Sequence, residues 1–118
     1  MLFGTANIGV RTLQQSSWDA DIRAVFPDWL TDAATERWPA IRQTLTVGQS
    51  VTGKVISRAP FGVWLDIGVN QPVLLLVVNM DGAQNRRITF DDYPQKGSEL
   101  TARVNALGDE GEIGLTQQ

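Results

Sequence analysis

The sequence contains neither cysteine nor histidine among its 118 residues. Without cysteine the chain has no disulfide, no thiolate nucleophile and no cysteine-ligated zinc site. Without histidine it lacks the commonest general base and the commonest metal-binding side chain, which also excludes a Ser-His-Asp triad. The remaining carboxylates, lysines and hydroxyl groups show no pairing of a nucleophile with a base. We therefore expect no enzymatic activity, no metal site and no cofactor.

Long apolar runs are also missing. The longest is Val73 to Val78, far shorter than the roughly 20 residues of a membrane-spanning helix. The N-terminus has neither the basic region nor the apolar stretch of a signal peptide. We therefore expect a cytoplasmic protein with no membrane partner.

Basic residues are scarce, with ten against thirteen acidic residues and a net charge of −3. A protein that neutralises phosphate groups is usually basic, so nucleic-acid binding by this chain requires a local cluster of cations. The composition of 42% apolar and 19% charged residues is otherwise that of a globular protein. The length suits one small domain with an extension.

The chain divides near Leu45 into a part with helical spacing and a part with strand spacing. In the first part Ser17 is a candidate N-cap, and Pro27 ends one helix or begins the next. A further break is expected near Trp38, because the proline that follows fits best in a first helical turn. Residues 1–15 fit a short hairpin or an irregular arm. The large aromatic side chains at helical spacing are interpreted as packing groups: Trp18, Trp29 and Trp38.

From Thr46 onwards apolar side chains alternate with polar ones, as in strands. Gly53 and Gly62 lie where a small barrel coils sharply and a side chain would crowd the neighbouring strand. Short strands, glycine-rich turns and one long connection predict a small antiparallel barrel over residues 46–118, preceded by a mainly helical extension over residues 1–45. The strand Val73 to Val78 is apolar throughout, so both its faces are expected to be buried. We expect part of residues 1–45 to pack against the barrel, and a partner protein is the other candidate cover.

Three segments of the barrel resemble the RNA-binding domain named after ribosomal protein S-one. V-T-G-K-V-I-S-R-A-P-F-G-V-W-L-D-I-G, from Val51 to Gly68, resembles the first hairpin of that family. The stretch from Asp92 to Val104 resembles the approach to its fourth strand, and G-E-I-G-L-T, from Gly111 to Thr116, resembles its last strand. The resemblance implies a five-stranded oligonucleotide/oligosaccharide-binding (OB) barrel over about residues 46–118.

The resemblance also implies a ligand patch on the barrel surface. Typical members stack bases on two aromatic side chains, and these positions are Phe61 and Trp64 here. They add a histidine, an aspartate and a basic residue, and these positions fall on Leu76, Gly108 and Glu112. Two positions therefore match and three depart, one of them with reversed charge.

The predicted function is binding of single-stranded RNA, or of single-stranded DNA, by stacking on Phe61 and Trp64. The candidate phosphate contacts are basic residues: Lys54, Arg58, Arg86, Arg87 and Arg103. The alternative is a protein-interaction module of an antitoxin-like, immunity-like or regulatory kind, which the acidic balance and the three departures favour. An open, positive surface around Trp64 would favour RNA, and a covered or negative surface would favour a protein partner.

Overall fold

The computed structural model describes residues 18–118. Five strands form a closed barrel: β1 (Ser50–Ala59), β2 (Gly62–Asp66), β3 (Pro72–Leu76), β4 (Glu99–Leu107) and β5 (Ile113–Thr116). The barrel order is β1-β2-β3-β5-β4. Only β3 and β5 pair in parallel, and every other pair is antiparallel. The predicted five-stranded barrel with a preceding helical extension is confirmed.

The alternation of apolar side chains along the strands builds the barrel core. Val55 lies opposite Leu65, and Val63 lies opposite Leu75, so their side chains meet inside the barrel. Each of them is almost completely buried. A side chain that points inward at every second position is the geometry of a strand with one face on a core. The inner surface is thus predictable from the sequence period.

Gly53 and Gly62 lie where strands approach each other closely. A Cβ atom on Gly62 would stand 2.2 Å from the carbonyl oxygen of Leu75, and one on Gly53 would stand 2.7 Å from a side-chain carbon of Ile67. Both distances are far below van der Waals contact. The prediction that a side chain would crowd the neighbouring strand is confirmed at both positions.

Within residues 18–118 two helices precede the barrel. The helix α1 is described over residues 18–25, and α2 spans Asp32–Gln43. The predicted N-cap Ser17 and residues 1–15 lie outside the described residues. No helix within residues 18–118 is both long enough and apolar enough to cross a membrane.

The helix α2 continues through Pro39, so the predicted break near Trp38 is wrong. Proline removes the hydrogen bond to the carbonyl of Thr35 and normally disrupts a helix interior. Here the side chain of Trp38 is buried with the barrel core, and its indole N–H donates to the carbonyl oxygen of Gly108 at 3.0 Å. This anchoring of Trp38 to the β4–β5 turn outweighs the tendency of Pro39 to break the helix.

Replacing Trp38 with phenylalanine tests this anchor. The variant loses the hydrogen bond to Gly108, which stabilises by about 1 kcal/mol, and leaves space beside the core, so we expect the free energy of unfolding to fall by about 1–3 kcal/mol. Urea denaturation measures the loss. The matched control is Trp29→Phe, because Trp29 donates no side-chain hydrogen bond to residues 18–118. An equal loss in both variants would contradict the role of the Trp38 bond.

The third strand is shorter and more exposed than the sequence predicts. It ends at Leu76, and Val77–Asn79 form a 3-10 helix. Leu75 is buried in the barrel, but Leu76 is 39% exposed and Val78 is 66% exposed. The prediction that both faces are buried is therefore wrong at the end of β3. The outer surface of β3 stays open in part because α1 packs against Ile56 of β1 and Trp64 of β2, and α2 is anchored at the β4–β5 turn.

Candidate nucleic-acid interface

The structure brings together the two aromatic side chains that the sequence predicts as a stacking surface. Trp64 lies on β2 opposite Ser57 of β1, and Phe61 precedes β2 in the turn. Their ring centroids are 6.4 Å apart at an interplanar angle of 68°. We call Phe61 and Trp64 the aromatic platform.

The helix α1 covers this platform. The ring of Trp18 lies parallel to Trp64, with 6.2 Å between centroids and 7° between planes, and meets Phe61 edge-on at 5.2 Å. The hydroxyl of Ser57 donates to the carbonyl oxygen of Trp18 at 2.7 Å. Trp29, after α1, meets Trp64 edge-on at 5.6 Å. The expectation that part of residues 1–45 covers the barrel is confirmed.

Apolar side chains hold α1 in this place. Ile22 and Phe26 are buried against Ile56, the residue where β1 bulges between its pairings with β2. Alternation places Ile56 on the face opposite Val55, so it faces outward under the helix, and the bulge adds one residue so that Ser57 also lies on this outer side, opposite Trp64. The helix therefore rests on an apolar spot of β1 and presents Trp18 to the platform.

The cover of Trp64 is incomplete in one respect. The indole N–H of Trp64 is buried, and it has no hydrogen-bond acceptor among residues 18–118. A buried donor without a partner costs about 1–3 kcal/mol. The contact with α1 thus satisfies the apolar surface of Trp64 but not its polar group.

Two lysines border a depression beside α1. Lys54 of β1 lies opposite Asp66 of β2, two residues from Trp64 on the same outer face. The ammonium group of Lys96 stands 3.1 Å from a carboxylate oxygen of Asp21 on α1. These four charged residues border one open depression of about 580 Å³. The carboxylate of Asp21 on α1 therefore pairs with Lys96, one of the two lysines that border this depression.

The sequence pattern alone does not single out Lys96. Its turn reaches β1 because the N–H of Gly97 donates to the carbonyl oxygen of Val55 at 2.7 Å, and the N–H of Val55 donates to the carbonyl oxygen of Ser98. This pairing joins the end of the long connection to β1. Only the closed barrel places Lys96 next to Lys54, so periodicity offers no signal for it.

Arg58 lies at another part of the surface. Its guanidinium stands 4.3 Å from the ring centroid of Phe90 and donates to the carbonyl oxygen of that residue at 2.6 Å. Tyr93 lies on the same side, and its hydroxyl donates to Pro60 at 2.8 Å. Burial raises the pKa of Tyr93 above its usual value. Arg58 therefore serves first to hold the long connection against the barrel.

The other predicted phosphate contacts are not joined to the platform by any contact within residues 18–118. Arg86 stands 3.5 Å from Asp92, and hydrogen bonds from the backbone and hydroxyl of Thr89 lower the pKa of that carboxyl group. Arg103 lies on β4 and donates to the carbonyl oxygen of Gln118. Arg87 is exposed and makes no ion pair with the described residues. The role of these arginines stays a prediction.

The remainder of the same barrel face is a groove. It has a volume of about 340 Å³ and lies between the Trp29–Leu30 turn and the outer surface of β3 and β5. Leu76 and Glu112, which replace a histidine and a basic residue of the resembled family, both line it. One carboxylate oxygen of Glu112 accepts the backbone N–H of Glu110 at 3.1 Å. We call this the acid-rimmed groove.

No metal site is formed by the described part of the chain. Within residues 18–118 no group of three or more acidic side chains converges in the way that a metal ion requires. The arrangement offers stacking surfaces, two lysines and an apolar groove.

Comparisons with known proteins bear on the fold. No family model and no curated protein sequence matches the chain. Solved structures do match. The chain has the barrel fold of these structures. The solution structure of GSP13 from Bacillus subtilis is 22% identical with a TM-score of 0.51, and the match covers 61% of this chain and 55% of that one.

Two further matches carry descriptions that name RNA. One belongs to the a/eIF2alpha–aDim2p–rRNA complex from Pyrococcus horikoshii OT3, at 17% identity and a TM-score of 0.55, covering 62% of this chain and 44% of that one. The other is a putative exosome complex RNA-binding protein, at 23% identity and a TM-score of 0.51, covering 63% and 43%. The matched part of this chain thus spans about half the length of each of these three structures. The OB-type barrel expected from the S-one resemblance is confirmed.

Proposed function

We propose that this chain is a binding protein, not an enzyme, and that it binds single-stranded nucleic acid, RNA before DNA, on the aromatic platform. The observation that carries the proposal is the ring of Trp18, which lies parallel to Trp64 and against Phe61. A flat aromatic ring thus already lies where a base would stack. Bases stack on such side chains in proteins that bind single strands. Two structures with the same barrel are described as an RNA-binding protein and a complex with rRNA.

In this proposal α1 holds the place of the nucleic acid. Trp18 takes the position of a base, and the carboxylate of Asp21 takes the position of a phosphate on Lys96. A single strand binds by displacing α1, stacking on the platform and contacting Lys54 and Lys96. The indole N–H of Trp64, which has no acceptor among residues 18–118, supports a replaceable cover, since a base can offer the acceptor that the described part of α1 does not.

From the sequence, a covered surface around Trp64 favours a protein partner. The surface is covered, but the cover is α1 of the same chain and not a second protein. Beneath α1 the charges are balanced, since Lys54 and Lys96 border the same depression as Asp21 and Asp66. Removal of Asp21 with α1 leaves two cations and one carboxylate there. The uncovered surface therefore has the positive balance that phosphate requires.

The affinity for a labelled single-stranded RNA, followed by fluorescence anisotropy at low ionic strength, tests the platform. In a Trp18→Ala background, Trp64→Leu is expected to weaken binding roughly tenfold to a hundredfold, because stacking on an aromatic side chain contributes about 1–3 kcal/mol per base. Because both proteins in this comparison lack Trp18, the difference between their affinities does not include the loss of the Trp18–Trp64 contact. The control is Trp38→Phe in the same background, which lowers stability without touching the platform.

The salt dependence of the same binding tests the two lysines. If Lys54 and Lys96 each neutralise one phosphate, the logarithm of the affinity falls against the logarithm of salt concentration with a slope of about −1.4, or about −0.7 per contact on a single strand. Absence of salt-dependent binding to any single-stranded RNA, by the wild type and by Trp18→Ala alike, would overturn the proposed function.

A further inference from the structure

The mouth of the acid-rimmed groove carries an exposed leucine in an unfavourable backbone conformation. Leu30 is 70% exposed, and its φ angle is +67°. The left-handed region is unfavourable for any residue with a Cβ atom, and a helix connection usually places glycine there. Leucine at this position therefore does not stabilise the fold, because its backbone is strained and its side chain is mostly exposed. Its chemistry fits a surface that is completed by another molecule.

The groove beside Leu30 is apolar inside and acidic at its rim. Trp64, Leu74 and Leu76 line the inner part, and Glu110 and Glu112 lie at the edge. A second depression of about 280 Å³ continues on the other side, where Leu30 and Glu110 meet Ala34 and Thr35. The two depressions share Leu30 and Glu110. The two depressions together fit an extended peptide segment that places one side chain in each of them better than they fit a compact small molecule.

The cations of the described residues 18–118 do not neutralise this rim. Arg37 makes two hydrogen bonds to Asp28, and Arg42 pairs with Asp109. Glu110 and Glu112 form no ion pair with any of residues 18–118. The rim therefore keeps its negative charge, which repels phosphate and attracts lysine or arginine.

We propose that the acid-rimmed groove docks an extended, basic segment of a partner protein that carries apolar side chains. The apolar side chains of the segment fill the groove beside Leu30 and Leu76, and its lysines or arginines pair with Glu110 and Glu112. This surface adjoins the aromatic platform and does not depend on the platform binding nucleic acid. A nucleic acid is disfavoured here because both free charges of the rim are negative.

Selection from a random 12-residue peptide library on the immobilised wild-type chain tests the proposal. The recovered peptides are expected to be enriched in lysine and arginine next to leucine, isoleucine, methionine or aromatic residues. Their affinity is expected to fall about tenfold for Glu110→Gln/Glu112→Gln, in which glutamine keeps the hydrogen-bond acceptor of the turn but removes the charge. The control with the same change in net charge is Asp81→Asn/Asp91→Asn, at two exposed carboxylates outside the groove.

A second variant guards against effects of unfolding. Leu30→Gly suits the left-handed backbone, so it is expected to leave the melting temperature unchanged or to raise it, while peptide affinity falls. Failure to recover peptides, recovery without cationic enrichment, or equal affinity of the Glu110→Gln/Glu112→Gln variant and its control would each overturn the proposal. None of these measurements involves RNA, so their outcome is separate from that of the proposed function.

Discussion

Replacing Trp18 with alanine is expected to raise the affinity for single-stranded RNA about tenfold, because an aromatic pair contributes about 0.5–1.5 kcal/mol beyond its buried area. Trp18 covers the platform only while α1 is docked. A ligand that needs the undocked form binds with an affinity reduced by the fraction of molecules in that form. Weakening the dock raises this fraction. Fluorescence anisotropy of a labelled single strand measures the change.

Two further variants separate the parts of this effect. Trp18→Phe keeps a flat ring on Trp64 and is expected to show a smaller gain. Asp21→Asn frees Lys96 without touching the ring, so its gain is expected to disappear at high salt. Equal affinity of the wild type and Trp18→Ala would contradict displacement of α1 while leaving nucleic-acid binding intact. Lack of binding in both would contradict the proposed function itself.

Replacing Gly62 with alanine is expected to lower the free energy of unfolding by about 3 kcal/mol, at the upper end of the usual range for overpacking. The new Cβ atom would stand 2.2 Å from the carbonyl oxygen of Leu75 and 2.9 Å from the Cα of Leu76. Both neighbours are backbone atoms of β3, so no side chain can rotate away. For a chain of this size the melting temperature is expected to fall by roughly 10–20 °C, which thermal unfolding followed by circular dichroism measures.

Gly68→Ala is the control for this crowding. Its φ angle is +91°, and a Cβ atom there would meet nothing within 4 Å. The substitution therefore reports only the strain of a left-handed backbone, about 1–2 kcal/mol. If Gly62→Ala were no more destabilising than Gly68→Ala, the close approach of β2 and β3 would not explain the glycine.

Local patterns predicted the parts of the structure that depend on neighbouring residues. The period of two from Thr46 onwards predicted the strands, and Gly53 and Gly62 marked where strands crowd each other. The platform residues Phe61 and Trp64 were also predictable, because the resemblance to the S-one family marks both positions and alternation places Trp64 on the outer face of β2. Prediction failed at Pro39, where the rule for a proline in a helix is local but the anchor of Trp38 lies 70 residues away in the sequence.

The sequence by itself determined the fold class and the kinds of chemistry that the chain lacks. The absence of cysteine and histidine is a fact of composition, and the barrel follows from short-range alternation and glycine placement. Only the tertiary structure decided what covers the platform, which two lysines border the depression beside α1 and where Arg58 is held. These outcomes depend on side chains that meet across β1, α1 and the long connection. Packing between segments far apart in the chain leaves no periodic signal in any one of them.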